Sequence, residues 1–96
     1  MKIIDRRRSL ETCTEAGWDA DDYLLDSPID EQWIASLKGL DGSFLYLKTL
    51  KKPFFKVESH HTVLKGIKGN TFFRLAYHRD HKNEAEHILR YLNGEL

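Results

Sequence analysis

Cysteine is almost missing from this sequence, since Cys13 is the only one among 96 residues. One cysteine cannot form an intramolecular disulfide, which excludes the disulfide-stapled scaffolds of small secreted proteins. Long apolar runs are missing as well, and the few apolar residues before Arg6 are too short a stretch for a signal-peptide core or a membrane span. We therefore expect a cytoplasmic protein with no membrane partner.

The sequence also has no net charge, because fifteen basic side chains balance fifteen acidic ones. The net charge of zero therefore favours neither nucleic acid nor a membrane surface as a partner. The charges are unevenly placed, however. Residues 10–31 contain acidic side chains and no Lys or Arg, whereas basic side chains dominate residues 32–83. Such asymmetry favours an electrostatic partner.

Motifs of known catalytic chemistry are missing too. The sequence contains no HExxH or CxxC metal motif, no nucleophile elbow and no phosphate-binding loop. Cys13 is a poor candidate nucleophile, because its acidic neighbours disfavour the thiolate. These absences predict a non-catalytic protein without a cofactor.

What the sequence does contain fits one folded domain spanning residues 1–96. Hydrophobic residues make up 41% of the chain and charged residues 31%, which is the balance of an ordinary folded protein. A chain of this length has room for one hydrophobic core. Because a core of this size buries a modest share of the surface, a second copy of the chain is one candidate partner.

Two short helices are predicted in the first part of the chain. Residues 15–25 favour a short acidic helix. A second helix is predicted over 28–38, because Ser27 is a favourable N-cap and Gly39 a favourable end.

From residue 43 onward the pattern changes to short runs of β-branched and aromatic residues. These runs predict four strands, over 43–50, 54–58, 62–68 and 71–78. The connections are too short for parallel crossovers, so the strands are antiparallel neighbours. A last helix is predicted over 82–93, with one apolar stripe. The expected fold class is α+β: a four-stranded antiparallel meander with a C-terminal helix packed on one face and one or two short N-terminal helices.

The dipeptide Gly69-Asn70 predicts a two-residue hairpin turn, which sets the pairing of the last two strands. With that turn, Lys65 lies opposite Arg74. Alternation along the strands then separates an apolar core face from a second, mixed face. The second face is predicted to carry Phe54, Lys56, Glu58, His61, Val63, Lys65, Ile67, Phe72, Arg74, Ala76 and His78.

This mixed face is the candidate binding surface. Lys65 opposite Arg74 brings like charges together, at a cost on the order of a few tenths to 1 kcal/mol, so we expect an acidic group nearby. Three sources are open: the acidic segment of this chain, the same segment of a second copy, or an external anion such as phosphate. A face that is simply solvated, or covered by the first helices, is the alternative. The candidate residues for binding an anion or an acidic partner are Lys56, His61, Lys65, Phe72, Arg74 and His78.

Two other ligands deserve comparison with an acidic partner. Phe54 and Phe72 offer stacking surfaces among cations, as single-stranded nucleic acid requires, but residues 72–77 lack the pattern of an RNA-recognition strand. His61 opposite His78 offers two ligands for a metal ion. No third ligand accompanies them at a suitable spacing, so no metal is predicted.

The sequence therefore favours a small non-catalytic interaction module that uses a basic, partly apolar sheet face. Its partner is expected to be another protein or a second copy of the chain. A single-stranded nucleic-acid-binding protein is the first alternative, and a small enzyme or metal-binding protein is the second.

Overall fold

The computed structural model describes residues 2–9 and 17–94 of the chain, and they form one antiparallel sheet with two α-helices. Two 3₁₀ turns, Leu37–Gly39 and Arg79–His81, flank the helices. The elements are β1 Ile3–Arg8, β2 Trp18–Leu25, α1 Glu31–Ser36, β3 Ser43–Leu47, β4 Phe54–Glu58, β5 Thr62–Ile67, β6 Phe72–His78 and α2 Lys82–Leu92. Across the sheet the six strands follow the order β1-β2-β6-β5-β4-β3.

The expected four-stranded meander is wrong, because the sheet has six strands, although the fold remains α+β. The four predicted strands are present as β3 to β6. Strand β2 pairs with the far side of β6, and β1 pairs with β2. The helix expected over 15–25 is also wrong, since Trp18–Leu25 is strand β2. Residues 15 and 16 lie outside the described residues.

The composition of β2 explains why sequence analysis missed it. The strand carries three aspartates, a residue type depleted in strands. Pairing with β1 and β6 nevertheless buries Asp21, Tyr23 and Leu25 on one face. The Tyr77 hydroxyl lies 3.4 Å from the Asp21 carboxylate and donates a hydrogen bond to it. Long-range pairing, and not local propensity, makes this segment a strand.

Helix α1 is shorter than the helix expected over 28–38. Its N-cap is Asp30 and not Ser27, and the Asp30 carboxylate accepts a hydrogen bond of 2.8 Å from the backbone N–H of Trp33. Ile29, just before the cap, forms two backbone hydrogen bonds of 2.9 Å with the turn between β5 and β6. These bonds hold the residues before α1 against the sheet and delay the start of the helix.

Both helices pack against the same face of the sheet. Trp33 of α1 contacts Phe55 and Phe73, with ring-centroid distances of 5.7 and 5.4 Å. Helix α2 contributes the buried Ala85, and its Tyr91 hydroxyl donates a 2.8 Å hydrogen bond to a carbonyl at the end of α1. Among the described residues, neither helix combines the length and the apolar character needed to cross a membrane. The buried hydrophobic core comprises Tyr23, Leu25, Ile29, Trp33, Ile34, Leu37, Phe55, Val57, Leu64, Phe73, Leu75, Tyr77 and Ala85.

The predicted pairing of β5 with β6 is confirmed, since Lys65 lies opposite Arg74. Gly66, one residue further along β5, is required by packing. It lies opposite Phe55 of β4, and a Cβ atom at this position would lie 2.7 Å from Cζ of that ring. Because Phe55 is fully buried, a shift of its ring would disturb its packing in the core.

Candidate functional site

The sheet face opposite the helices is the candidate functional surface, and we call it the open face. Among the described residues, no helix lies over it, because both helices pack on the other side. The register assigns alternate residues of each strand to this face. The open face consists of Asp5 and Arg7 in β1; Trp18, Ala20, Asp22 and Leu24 in β2; Ser43, Leu45 and Leu47 in β3; Phe54, Lys56 and Glu58 in β4; Val63, Lys65 and Ile67 in β5; and Phe72, Arg74, Ala76 and His78 in β6.

A cationic row, consisting of Lys56, Lys65 and Arg74, crosses the middle of the open face. Lys56 pairs with Lys65 across β4 and β5, and Lys65 pairs with Arg74 across β5 and β6. Acidic residues border the row at both ends. Asp22 lies opposite Arg74 on β2, and the Glu58 carboxylate lies 3.3 Å from the Lys56 ammonium group. The acidic group that we expected near these like charges is therefore supplied, at least in part, by this chain.

Partial burial affects the charged groups at the Arg74 end of the cationic row. Burial lowers the pKa of the Arg74 guanidinium. Burial also raises the pKa of the Asp22 carboxyl, while a hydrogen bond from Ser9 acts in the opposite direction. In both cases the loss of water disfavours the charged form. An anionic group that binds near Arg74 meets a cation that water solvates incompletely, which strengthens their attraction.

An apolar band lies beside the cationic row. Two of its side chains are well exposed, with 40% of Leu47 and 41% of Phe72 accessible to solvent, and the neighbouring Leu45 is 42% exposed. Clustered apolar exposure of this kind marks an interaction surface more often than scattered single residues do. The apolar band comprises Leu24, Leu47, Phe54, Ile67 and Phe72.

The structure divides the six predicted binding residues into two groups. The cationic row and Phe72 lie together on the open face. His78 lies at the end of that face, where its ring packs edge-on against Trp18 at a centroid distance of 6.1 Å. His61 does not join the face, because it precedes the first residue of β5 and its side chain contacts Glu84 of α2.

His61, His81 and Glu84 form a histidine cluster where α2 begins. Oε2 of Glu84 lies 3.0 Å from Nδ1 of His61 and 2.9 Å from Nδ1 of His81. The two imidazole rings are stacked, with centroids 3.5 Å apart and planes inclined by 7°. Sequence analysis missed His81 and Glu84, although their spacing of three residues at a helix start places them on one side of the helix. Only the fold brings His61 to them.

A cleft of about 570 Å³ adjoins the histidine cluster, and Glu84 lines it. Its walls come from α2 and from the turns that precede β3 and β5. The lining is mixed: Ser59, Thr62 and Asn83 contribute polar groups, and Leu40 and Ile88 contribute apolar ones.

Much of the acidic segment is bound within the chain. The Asp19 carboxylate accepts hydrogen bonds of 3.1 and 3.2 Å from Arg79 and one of 3.3 Å from Arg8. The hydrogen bonds from Arg79 are the main cause that lowers the pKa of Asp19, and they raise the pKa of Arg79 in return. Asp19 therefore joins β1, β2 and the end of β6, and does not contact the cationic row.

Glu31 is bound in the same way at the start of α1. Its Oε1 atom accepts hydrogen bonds from the Tyr46 hydroxyl at 2.7 Å and from the Lys68 ammonium group at 3.2 Å. The hydrogen bond from Tyr46 is the main cause that lowers the pKa of Glu31. Burial, together with Glu31, raises the pKa of Tyr46 to about 12. These contacts connect α1 to β3 and to the turn after β5.

Comparison of this chain with protein-family models, with curated proteins and with solved structures found no match. The functional argument therefore depends on the geometry of the open face and of the histidine cluster.

Proposed function

We propose that this protein is a non-catalytic interaction module of the cytoplasm, whose open face binds an acidic, partly apolar segment of another protein. The observation that supports this proposal is the position of the cationic row directly beside the apolar band, on a sheet face that no described helix covers. The two features match a partner strand or helix that presents acidic and apolar side chains together.

The exposed apolar side chains supply the larger part of the expected binding energy. Full burial of a Leu or Phe side chain contributes about 1.5–3 kcal/mol. Leu47 and Phe72 of the apolar band and the neighbouring Leu45 are about 40% exposed, so covering them contributes roughly 1 kcal/mol each. The cationic row adds orientation and specificity more than affinity. A partner therefore needs one or two acidic groups and a matching apolar surface.

Nucleic acid is a weaker candidate than a protein segment for the open face. Asp22 and Glu58 border the cationic row and repel phosphate groups. Two of the three well-exposed apolar side chains on this face are leucines, which do not stack on bases as aromatic rings do. Of the two predicted stacking side chains, Phe72 is well exposed and Phe54 is only partly exposed.

A second copy of the chain is also a weaker candidate. Its own open face would bring a second cationic row toward the first. Asp19 and Glu31, two acids that a symmetric electrostatic dimer would use, are already bound by Arg79 and Lys68.

The test is an NMR titration of the isotope-labelled protein with a peptide of alternating leucine and glutamate. We expect backbone shifts at Lys56, Lys65, Phe72 and Arg74, and a dissociation constant that rises roughly tenfold for Lys65→Glu, equivalent to about 1.4 kcal/mol. The matched control is Lys82→Glu, which makes the same charge change on α2 and leaves the open face intact. Equal weakening by both variants, or no shift on the open face, contradicts the proposal.

Two further measurements separate the alternatives. The first is a titration with a short oligouridine. Three neutralised phosphates on a single strand predict that log affinity falls with log salt concentration at a slope of about −2. This salt dependence, together with no binding of the peptide, assigns the face to nucleic acid. A molecular mass that doubles with protein concentration in sedimentation, and returns to the monomer in Lys65→Glu, assigns it to a second copy.

A further inference from the structure

We propose that His61, His81 and Glu84 form a binding site for a divalent first-row transition-metal ion. This proposal is independent of the function of the open face. It starts from two imidazoles and one carboxylate, a ligand set that suits zinc and its neighbours in the first row; magnesium and calcium prefer oxygen ligands alone.

The backbone fixes the three ligands relative to one another. The N–H of His78 donates a 2.9 Å hydrogen bond to the carbonyl of His61, which ties the turn before β5 to the end of β6. The chain then passes through the 3₁₀ turn to His81, and Glu84 follows in the first turn of α2. The turn before β5 therefore positions His61, and the start of α2 positions His81 and Glu84.

The distances already approach those of a metal site. A tetrahedral ion with bonds of 2.0–2.1 Å separates its ligand atoms by about 3.3 Å. The Glu84 oxygen lies 3.0 and 2.9 Å from the two imidazole nitrogens, which is within a few tenths of an ångström of that value. The ligand atoms of all three side chains lie within 4.8 Å of one another.

Oε2 of Glu84 is a second, independent indication. This oxygen is shielded from solvent, yet it has no partner in hydrogen-bond geometry. Nδ1 of His61 and Nδ1 of His81 are near enough, but neither contact has hydrogen-bond geometry. A buried carboxylate oxygen without a donor is costly, and a cation between the three groups removes the cost.

The stacked rings show what metal binding must change. A metal ion lies in the plane of each imidazole that binds it, and two planes inclined by 7° at a centroid distance of 3.5 Å cannot share one ion. At least one ring must therefore rotate about its side-chain bonds. Both histidine side chains are more than a third exposed, and the His81 ring also lies 5.7 Å from the His78 ring. Glu84 also lines the adjoining cleft.

The test uses the full chain without an affinity tag, titrated with Zn²⁺ and Co²⁺ and, as a negative control, with Mg²⁺. We expect one equivalent of Zn²⁺ by calorimetry, a Co²⁺ spectrum of low coordination number, and no uptake of Mg²⁺. In the histidine ring NMR spectrum, His61 and His81 shift together as the stacking is lost. Absence of a one-to-one Zn²⁺ complex overturns the proposal.

Variants assign the ligands. Loss of a supporting partner at a metal site weakens binding by 10–100-fold, so loss of a direct ligand in His81→Ala or Glu84→Gln is expected to weaken Zn²⁺ binding by more than about 100-fold. The matched control is His60→Ala, which removes an exposed histidine of the same turn and leaves the affinity unchanged. An equal loss in His60→Ala, or an unchanged affinity in Glu84→Gln with a native NMR spectrum, overturns the assigned site.

Discussion

At the scale of single residues, several positions are fixed by contacts that the sequence does not display. Gly66 resembles an ordinary strand glycine, but the Phe55 ring occupies the space where its side chain would lie. Asp22 belongs by sequence to an acidic segment, and in the fold it lies opposite Arg74 on the open face. In both cases the partner lies on a neighbouring strand of the sheet, β4 for Gly66 and β6 for Asp22.

The contact between Gly66 and Phe55 gives a stability prediction. Gly66→Ala places a methyl group against a buried ring, and overpacking of this kind costs about 1–3 kcal/mol of unfolding free energy. Urea denaturation measures this loss. Thr71→Ala, an exposed change in the following turn, is the control and should stay within about 0.5 kcal/mol of the original protein. Equal stability of Gly66→Ala and the original protein would show that the ring can move away.

The hydrogen bond from Tyr46 to Glu31 gives a pH prediction. It holds the pKa of Glu31 below its ordinary value of 4.5, so the stability it supplies is present above pH 4.5 and is lost as the pH falls through the lower folded value. Tyr46 behaves in the opposite sense, because its raised pKa stabilises the fold below pH 10 and this contribution is lost as the pH rises toward 12. In Tyr46→Phe, a carbon-detected NMR titration should show the Glu31 pKa moving up toward 4.5. An unchanged Glu31 pKa would assign the shift to Lys68 instead.

At the scale of elements, the start of α1 shows how tertiary contacts choose between two capping residues. Ser27 and Asp30 are both good N-caps by residue type. The backbone bonds of Ile29 to the turn after β5 keep the chain extended past Ser27, and Asp30 becomes the cap.

The choice of cap is testable by two parallel variants. Asp30→Ala removes the hydrogen bond to Trp33 and is expected to cost about 1 kcal/mol of unfolding free energy, within the usual range for a lost N-cap. Ser27→Ala should cost much less, since the Ser27 hydroxyl does not cap the helix. A larger loss for Ser27→Ala in thermal or urea denaturation would contradict the helix start described above.

At the scale of the whole molecule, residues 2–9 and 17–94 form two layers, the sheet and the helices on one side of it. Within these residues, no helix lies on the other sheet face. The hydrophobic residues of α1 and α2 pack against the same sheet face and bury its centre. The other sheet face carries both cationic and apolar side chains. A face that contacts only water has no need of the apolar ones. This asymmetry between the faces is the physical basis of the proposed interaction module.

Two consecutive residues of β6 test that asymmetry. Phe73 is fully buried beneath the helices, and Phe73→Ala is expected to cost about 3–5 kcal/mol. Phe72 points to the open face, and Phe72→Ala should cost about 1 kcal/mol or less, because much of its ring is already in water. Denaturation of the two variants under identical conditions measures both values. Similar losses would show that the open face is covered in solution.

The sequence by itself determined the elements whose signals are local. Strands β3 to β6, helix α2 and the pairing of Lys65 with Arg74 follow from short-range alternation, a helical stripe and the turn at Gly69-Asn70. For the same reason, the cationic row and Phe72 could be placed on one face before the structure was known.

The tertiary structure decided the rest, because the controlling contacts are distant in sequence. Strand β2 exists through pairing with β6, against the low strand preference of its aspartates. His61 meets His81 and Glu84 only because a backbone bond ties its turn to the end of β6. Local patterns carry information about neighbours along the chain, whereas a shared face or a ligand cluster depends on which strands the fold places side by side.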